Sequence, residues 1–437
     1  PCFPELALVF PDRGWYHRFD KNTKGWVDHM NARIFLRRHR GILLVGLVFA
    51  LIYMGNGSYI PYIQLYYKEA GLSTSQIGLI TAIGPFASLV FQTAWGRLAD
   101  RTNRKFVLLL TLVLSAACTL LYLLGASFGY ILFVAVLYVL FNMSVLPMAD
   151  AMALEFCTKN RYRFSPIRLC GTVGYALIPI LLGTLFSLDL RRIFYAYVIF
   201  TCAAAAATLF FPRSDEQRMR AAQKNAGEKK PLSLRPLLRD PMVLFLLIAN
   251  FVISVGICAY TYLPLYASEL GYDNNACGLL NAFSALSEIP TLLLIDRVMK
   301  KIRGTTIIVA SAFFCALRLF LTYVSGFFGA GAFAMLTFAQ LLQSVSYMTN
   351  YYCSANLIHE RFPPELKSTA QTLLAMITAG FSRIFGSLVG GYLSESSVLG
   401  LQNTFLFFAL FLLAGSFVVL LAYRRAERPA ANNRAGM

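Results

Sequence analysis

Charged residues are scarce in this chain of 437 residues, at 14% against about a quarter in ordinary soluble proteins. Histidine occurs only four times, and none of the nine cysteines belongs to a CxxC pair, so the sequence predicts no metal site. The GxxxxGK[ST] loop of an ATP-driven pump is missing as well. Without a nucleophile, metal or base cluster, we expect a protein that is not an enzyme and holds no cofactor.

Apolar residues fill the space that charge leaves: 57% of the chain is hydrophobic. Twelve apolar stretches are each long enough to cross a bilayer, which takes about 20 helical residues. The stretches are 41–66, 76–96, 106–125, 129–157, 167–187, 193–211, 241–266, 276–295, 305–326, 330–358, 369–393 and 401–423. This pattern predicts an all-α integral membrane protein with twelve transmembrane helices, whose loops are too short to hold a catalytic domain.

The net charge of +18 is distributed by topology. When the spans are numbered, 33 of the 39 Lys and Arg lie in the two tails and in the loops that follow even-numbered spans. Only Lys68, Arg191 and Arg192 lie on the opposite side of the membrane. Cytoplasmic loops of membrane proteins carry such an excess of Lys and Arg, so both termini are expected in the cytoplasm. The expected location of the protein is the cytoplasmic membrane. Anionic lipid is the expected partner of this basic face, and nucleic acid is not.

An internal repeat divides the chain into two halves. A shift of 200 residues aligns Tyr66 with Tyr266, Glu69 with Glu269, and Gly78 with Gly278, at the same place in each half. Six spans per half give two parallel repeats, an architecture of secondary transporters whose solute site lies between the halves near the midplane. The predicted units are a polar N-tail (1–40), a six-helix bundle (41–211), a cytoplasmic linker (212–240), a second bundle (241–423) and a C-tail (424–437). Because the sequence from Met30 onward is typical of the N-terminus of such a protein, residues 1–29 are expected to be an upstream extension.

The loop after the second span carries the sequence Gly-Arg-Leu-Ala-Asp-Arg-Thr-Asn-Arg-Lys over residues 96–105, and Asp296 and Arg297 echo it after the eighth span. This loop resembles the signature G-x-L-a-D-r-x-x-r-k of the major facilitator superfamily. The resemblance implies a gating role for Gly96, Asp100, Arg101, Arg104, Asp296 and Arg297. On physical grounds, Gly96 is expected to permit close helix approach.

Three further stretches resemble the lactose permease-like branch of oligosaccharide and nucleoside proton symporters. They are Gly57–Tyr62 with Phe91–Gln92, the 18-residue spacing from Asp150 to Arg168, and the charges at Glu288 and Arg318. The resemblance covers about residues 41–423 and implies that Asp150 and Arg168 pair and hold the hydroxyl groups of a sugar. It also places Tyr175 where a tryptophan of the permease stacks on the sugar ring.

Ionisable residues inside spans are functional candidates because burying them in a bilayer costs several kcal/mol. Three acids and three bases lie within spans, namely Asp150, Glu155, Glu288, Arg168, Arg318 and Arg383. Their balance suggests pairs across a hydrated cavity. A structural ion pair is the alternative for Asp150 and Arg168, snorkelling is favoured for Glu155, and Arg383 is equally well explained as a relic of the repeat.

Span ten departs from the lactose permease, in which this span holds a Lys, a His and a Glu that take part in proton coupling. Gln340, Gln343 and Ser346 occupy those positions and cannot titrate. Coupling would then depend on Glu288 or Asp150, within a charge network that includes Arg318 and Arg383. Gln343 and Asn350 are expected to hydrogen-bond a polar solute instead. Tyr53, Tyr260, Tyr347 and Tyr351 are expected to be packing or interface residues.

The sequence therefore predicts a monomeric secondary transporter that moves a sugar, glycoside or nucleoside by alternating access, with the proton as coupling ion. A drug or metabolite exporter of the same superfamily and an uncoupled facilitator remain the alternatives. A sensor is disfavoured because no loop can hold a signalling domain.

Overall fold

The computed structural model describes residues 32–162, 164–211, 240–362, 364–397 and 399–435. The predicted extension 1–29, residues 1–31 of the N-tail, and the linker 212–240 except for its last residue lie outside these ranges, so the predictions made for them stay untested. Within the described ranges all regular structure is helical. The side chains of residues 32–39, 93, 100, 292, 361, 364, 365, 367, 368 and 427–435, although inside helices, are also outside the description, and Asp100 is one of them.

The first half contains eight helices. They are α1 (Ala32–Tyr59), α2 (Ile63–Glu69), α3 (Thr74–Arg101), α4 (Arg104–Leu121), α5 (Phe128–Asn142), α6 (Val145–Asn160), α7 (Ser165–Leu188) and α8 (Arg192–Leu209). Helix α1 ends just before Pro61, and α2 continues the same apolar segment, so together they make one span. Helices α5 and α6 form another such pair. Helix starts carry local caps, as at Ser73, whose hydroxyl accepts from the Gln76 N–H while the Gln76 side chain accepts from the Ser73 N–H.

The second half repeats this plan with more breaks. Its helices are α9 (Pro241–Ile257), α10 (Leu263–Glu269), α11 (Asn274–Met299), α12 (Gly304–Ser325), α13 (Ala332–Leu341), α14 (Thr349–Arg361), α15 (Pro364–Ala375), α16 (Ser382–Glu395) and α17 (Gly400–Ala435). A 3₁₀ turn at Cys258–Tyr262 joins α9 to α10. Two π turns, Ser344–Met348 and Met376–Phe381, interrupt the segments predicted as spans ten and eleven. Such π turns occur often at functional sites.

Ten of the described helical segments are long and apolar enough to cross a membrane, and eleven if the segment bent by 47° between Thr291 and Leu293 is one span. The predicted tenth span, 330–358, corresponds to α13, the π turn and α14. This segment carries Gln340, Gln343, Ser344, Ser346 and Asn350, which lower its apolar content. Because of these polar residues, the segment is not among the ten helical segments that are apolar enough to cross a membrane. The same residues include candidates for the functional site.

The two halves meet along two helix pairs, α7 with α11 and α3 with α16. The hydrogen bonds that the structure shows between the halves lie at the end predicted to be external. Ser73 Oγ and the Ser75 N–H donate to Glu395 Oε2 at 2.8 and 2.9 Å, and the Asn275 N–H donates to Ser187 Oγ at 2.8 Å. The external end is therefore closed in this structure.

Candidate functional site

Close packing of α1 on α7 builds the first-half wall of the site. A Cβ added to Gly57 would lie 2.5 Å from the Tyr175 carbonyl oxygen, and one added to Gly171 would lie 2.7 Å from the Tyr53 ring. Only glycine allows the two backbones to come this close. As a result, the side chains of Tyr53 on α1 and Arg168 on α7 lie next to each other.

Asp150 on α6 and Arg168 on α7 form the ion pair that the resemblance implies. Arg168 Nη1 lies 3.4 Å from Asp150 Oδ1, and the guanidinium lies over the Tyr53 ring, 5.3 Å from its centroid. The side chain of Arg168 is 44% exposed and that of Asp150 is 35% exposed. Donors and acceptors of this pair are therefore accessible to a solute, unlike those of a sealed structural ion pair.

Arg318 on α12 is the centre of a second polar group, in the other half. Its Nε donates to the Ala339 carbonyl at 3.0 Å, and its two terminal nitrogens donate to the side-chain oxygens of Gln340 and Gln343. The guanidinium lies 3.8 Å from the centroid of the Tyr260 ring. Arg318 is only 2% exposed, so neutral amides and an aromatic face hold this buried cation.

Glu288 on α11 connects the two groups. Gln343 Nε2 donates to Glu288 Oε1 at 3.2 Å while Gln343 Oε1 accepts from Arg318, so one amide bridges the carboxylate and the buried cation. The positive charges of Arg318 and Arg168 both act on the Glu288 carboxylate. Because Arg168 belongs to the first half, the polar groups of the two halves face one another across the centre of the molecule.

Tyr175 is partly exposed and close enough to Glu288 for an electrostatic interaction between the two side chains. It thus lies beside the facing charges of the two halves. Arg383 on α16 lies close enough to Tyr347 for an electrostatic interaction between the two side chains, and Tyr347 belongs to the π turn, one helical turn beyond Gln343. The sites of Arg383 and Gln343 are therefore neighbours on the wall of the second half.

Two predicted residues lie apart from this group. Asn350 is 2% exposed and donates to Asn250 Oδ1 at 2.8 Å, so its side chain packs α14 against α9. Glu155 lies 3.9 Å from Arg104 near the end predicted to be cytoplasmic. With Glu155 engaged there, the balance of three acids and three bases does not hold at the centre of the protein.

The described gating-motif residues lie near the ends of helices in this structure. A Cβ at Gly96 would have nothing within 4 Å, so the expected close helix approach at Gly96 is absent here. Arg101 ends α3, Arg104 begins α4, and Arg297 lies in the last turn of α11. Asp296 accepts from the Tyr352 hydroxyl at 2.6 Å. The open space at Gly96 agrees with halves that touch at the external end.

Tyr53 and Tyr260 were expected to be packing residues, but each lies under an arginine of the site. Both belong to the first span of their half, but the 200-residue shift aligns Tyr53 with Ile253 and not with Tyr260. The repeat therefore gives no signal that could have identified them.

Comparison with known proteins agrees with this architecture. The family model "MFS_1 like family" matches residues 43–407. Maltose permease of Geobacillus stearothermophilus is 28% identical over 392 residues, which cover 89% of this chain and 96% of the permease. Multidrug resistance protein MdtG of Dickeya zeae is 28% identical over 273 residues, covering 60% of this chain and 64% of MdtG.

The crystal structure of the nucleoside transporter NupG superimposes with a TM-score of 0.73 at 15% identity, covering 87% of this chain and 98% of NupG. At that identity the likeness shows the fold. The match of the family model, the two facing halves and the many apolar helices lead to one conclusion. This chain is a multi-pass membrane transporter of the major facilitator superfamily and belongs to the MFS_1 like family.

Proposed function

We propose that the protein is a secondary active transporter that carries a small hydroxylated solute, such as a sugar, glycoside or nucleoside, together with protons. The observation that carries the proposal is the exposed Asp150–Arg168 pair, which faces Glu288 between the two halves. A guanidinium that donates and a carboxylate that accepts can together hold neighbouring hydroxyl groups. The names of two similar proteins, a maltose permease and a nucleoside transporter, support this class of solute.

In this proposal Asp150 and Arg168 bind the hydroxyl groups and Tyr175 stacks on the ring of the solute. Gln343 adds a hydrogen bond from the other half. Glu288 carries the proton, because it is the carboxylate that sits between the charges of Arg168 and Arg318 and can exchange hydrogen bonds with Gln343. The halves then alternate between closure at the external end, as here, and closure at the cytoplasmic end.

Uptake of labelled maltose, methyl glucoside and uridine into proteoliposomes tests the proposal, with a pH gradient applied and then collapsed by a protonophore. We expect accumulation above the external concentration that is lost with the protonophore. Failure of every sugar, glycoside and nucleoside to enter would contradict the solute class.

An uncoupled facilitator is the second candidate, since neutral amides, Gln340 and Gln343, bind the buried Arg318. Entry that only equilibrates and is insensitive to protonophore would favour it. The similarity to MdtG keeps an exporter as the third candidate. Efflux of an apolar dye that competes with no hydroxylated solute would favour that function.

A further inference from the structure

Arginines outnumber acids around the central cavity. Among the described side chains, Arg168, Arg318 and Arg383 contribute three positive charges there, and Asp150 and Glu288 contribute at most two negative ones. Protonation of Glu288 during transport would increase this excess. An excess of positive charge inside a membrane protein is costly unless water or a ligand compensates for it.

The excess charge can be assigned to Arg383. Asp150 is paired with Arg168, and Glu288 is bridged to Arg318 through Gln343. Among the described residues, Arg383 lies near Tyr347 and Cys258, but it forms no ion pair with a carboxylate. Its charge is therefore left for solvent or for a ligand.

The position of Arg383 on α16 directs it into the cavity. Phe381, Phe385 and Leu388 are exposed on one face of this segment, as expected for contact with lipid. Arg383 is two residues from both phenylalanines, about 200° around the helix at 100° per residue, and so projects to the other side. Its exposed side chain lies on the same side of α16 as the buried Gly386, Ser387 and Gly390, as expected for a residue that lines an internal cavity.

The backbone that carries Arg383 is held firmly. Ser382 and Gly386 are buried, and a Cβ at Gly386 would lie 2.7 Å from the Cys258 Cβ, so α16 packs tightly on the segment that follows α9. The rings of Tyr347 and Tyr351 lie 6.4 Å apart at 31°, and Tyr351 is 59% exposed. An exposed arginine thus lies near Tyr347, whose ring neighbours that of Tyr351 and which is one helical turn from Gln343.

We propose that Arg383, with Tyr347 and Tyr351, forms a subsite for an anionic group, carboxylate or phosphate, on the hydroxylated solute. The guanidinium offers two parallel N–H donors to such a group, and the cavity's excess positive charge favours it over a neutral substituent. The solute is then a sugar acid, a sugar phosphate or a nucleotide-like compound, with its hydroxyl groups at Asp150 and Arg168. This inference rests on the proposed function and narrows its solute class.

Calorimetric titration of the purified full-length protein with matched pairs of neutral and anionic ligands tests the proposed subsite. The probes are glucose against glucuronate and glucose 6-phosphate, and uridine against uridine monophosphate. We expect at least one anionic member to bind about tenfold or more tightly than its neutral partner. A preference for carboxylate or for phosphate supports the subsite and identifies the group it takes.

Variants assign the preference to a residue. Arg383→Gln is expected to remove it, and Arg383→Lys, which keeps the charge, to retain part of it. Arg425→Gln, at an exposed arginine near the end of α17, is the matched control and is expected to keep the full preference. If Arg383→Gln fails to fold, the comparison between wild type and Arg383→Lys still tests the residue.

The outcomes separate the subsite from the proposed function. Neutral members that bind as tightly as anionic ones in the wild type overturn the subsite and leave the proposed function in place. A preference that persists in Arg383→Gln overturns its assignment to Arg383. Absence of binding by every member contradicts both proposals.

Discussion

Arg168 is the residue on which solute binding depends most, since it contacts both Asp150 and the Tyr53 ring from an exposed position. A lost hydrogen bond to a charged group costs about 1.5–3 kcal/mol, which corresponds to roughly tenfold to hundredfold in affinity. We therefore expect Arg168→Ala to weaken solute binding by at least tenfold, and Arg168→Lys to recover part of it. Titration of the purified variants measures this, with Arg424→Ala as control. Wild-type affinity in Arg168→Ala would remove Arg168 from the site.

Glu288 has a different predicted role, in coupling. Glu288→Gln keeps the size of the side chain and its capacity to hydrogen-bond Gln343, but it cannot gain or lose a proton. We expect the variant to exchange solute across the membrane at a rate near that of the wild type while losing accumulation driven by a pH gradient. Glu155→Gln, at the carboxylate near Arg104, should keep both. Unchanged accumulation in Glu288→Gln would exclude Glu288 as the proton carrier.

The identity of these residues could be predicted from the sequence, and the resemblance also implied the Asp150–Arg168 pair, whereas the direction of most side chains could not be predicted. Charges within apolar segments are rare, so Asp150, Arg168, Glu288 and Arg318 are evident from composition alone. Which way a side chain points is harder to predict, because a span that is apolar all round has no periodicity to orient it. Asn350 is an example: the sequence places it in span ten with Gln343, but its side chain packs against Asn250.

At the scale of helices, the sequence predicts where the spans lie but not where they break. Pro61 marks the end of α1, as a proline is expected to. The two π turns, in contrast, contain neither a proline nor a shared motif. The first π turn lies against α11 and α12, which carry Glu288 and Arg318, and the second lies against α3 and α9. Contacts of this kind between distant segments are not visible in a single sequence.

The crossing of α3 and α16 determines whether the external end can close. A Cβ at Gly78 would lie 2.7 Å from the Ser387 carbonyl oxygen and 2.9 Å from the Gly391 Cα. These are backbone atoms and cannot move aside, so Gly78→Leu should keep the halves apart at this end. We expect the distance between spin labels at Ser127 and Ala330, in a background without reactive cysteines, to shift to a longer population.

Gly129→Leu is the matched control for this variant, because a Cβ at Gly129, also near the external end, would have nothing within 4 Å. It should leave the label distances as in the wild type. Transport is expected to be lost in Gly78→Leu and kept in Gly129→Leu. Unaltered label distances in Gly78→Leu would show that closure does not use this crossing.

At the scale of the whole molecule, each half caps the N-terminus of a helix in the other half, and these caps support closure of the external end. The first N–H groups of a helix have no partner within the helix. In this structure the Ser75 N–H of α3 donates to Glu395, at the end of α16, and the Asn275 N–H of α11 donates to Ser187, near the end of α7. Ser75 and Asn275 are related by the 200-residue repeat, so the two caps are equivalent positions of the two halves.

These caps exist only while the external end is closed, so they contribute free energy to that state and not to the alternative. A helix cap contributes about 0.5–2 kcal/mol, and the exposed Glu395 belongs at the low end because solvent screens its charge. Ser187→Ala and Glu395→Ala should each raise the ratio of externally open to closed molecules by a factor of about two to five. Since the two caps lie at separate helix crossings, the factors should multiply in the double variant.

The label distances at Ser127 and Ala330 measure the ratio of externally open to closed molecules. Glu69→Ala, which removes a carboxylate from the same end, is the control. Equal populations in the double variant and the wild type would show that the caps do not hold the closed state together.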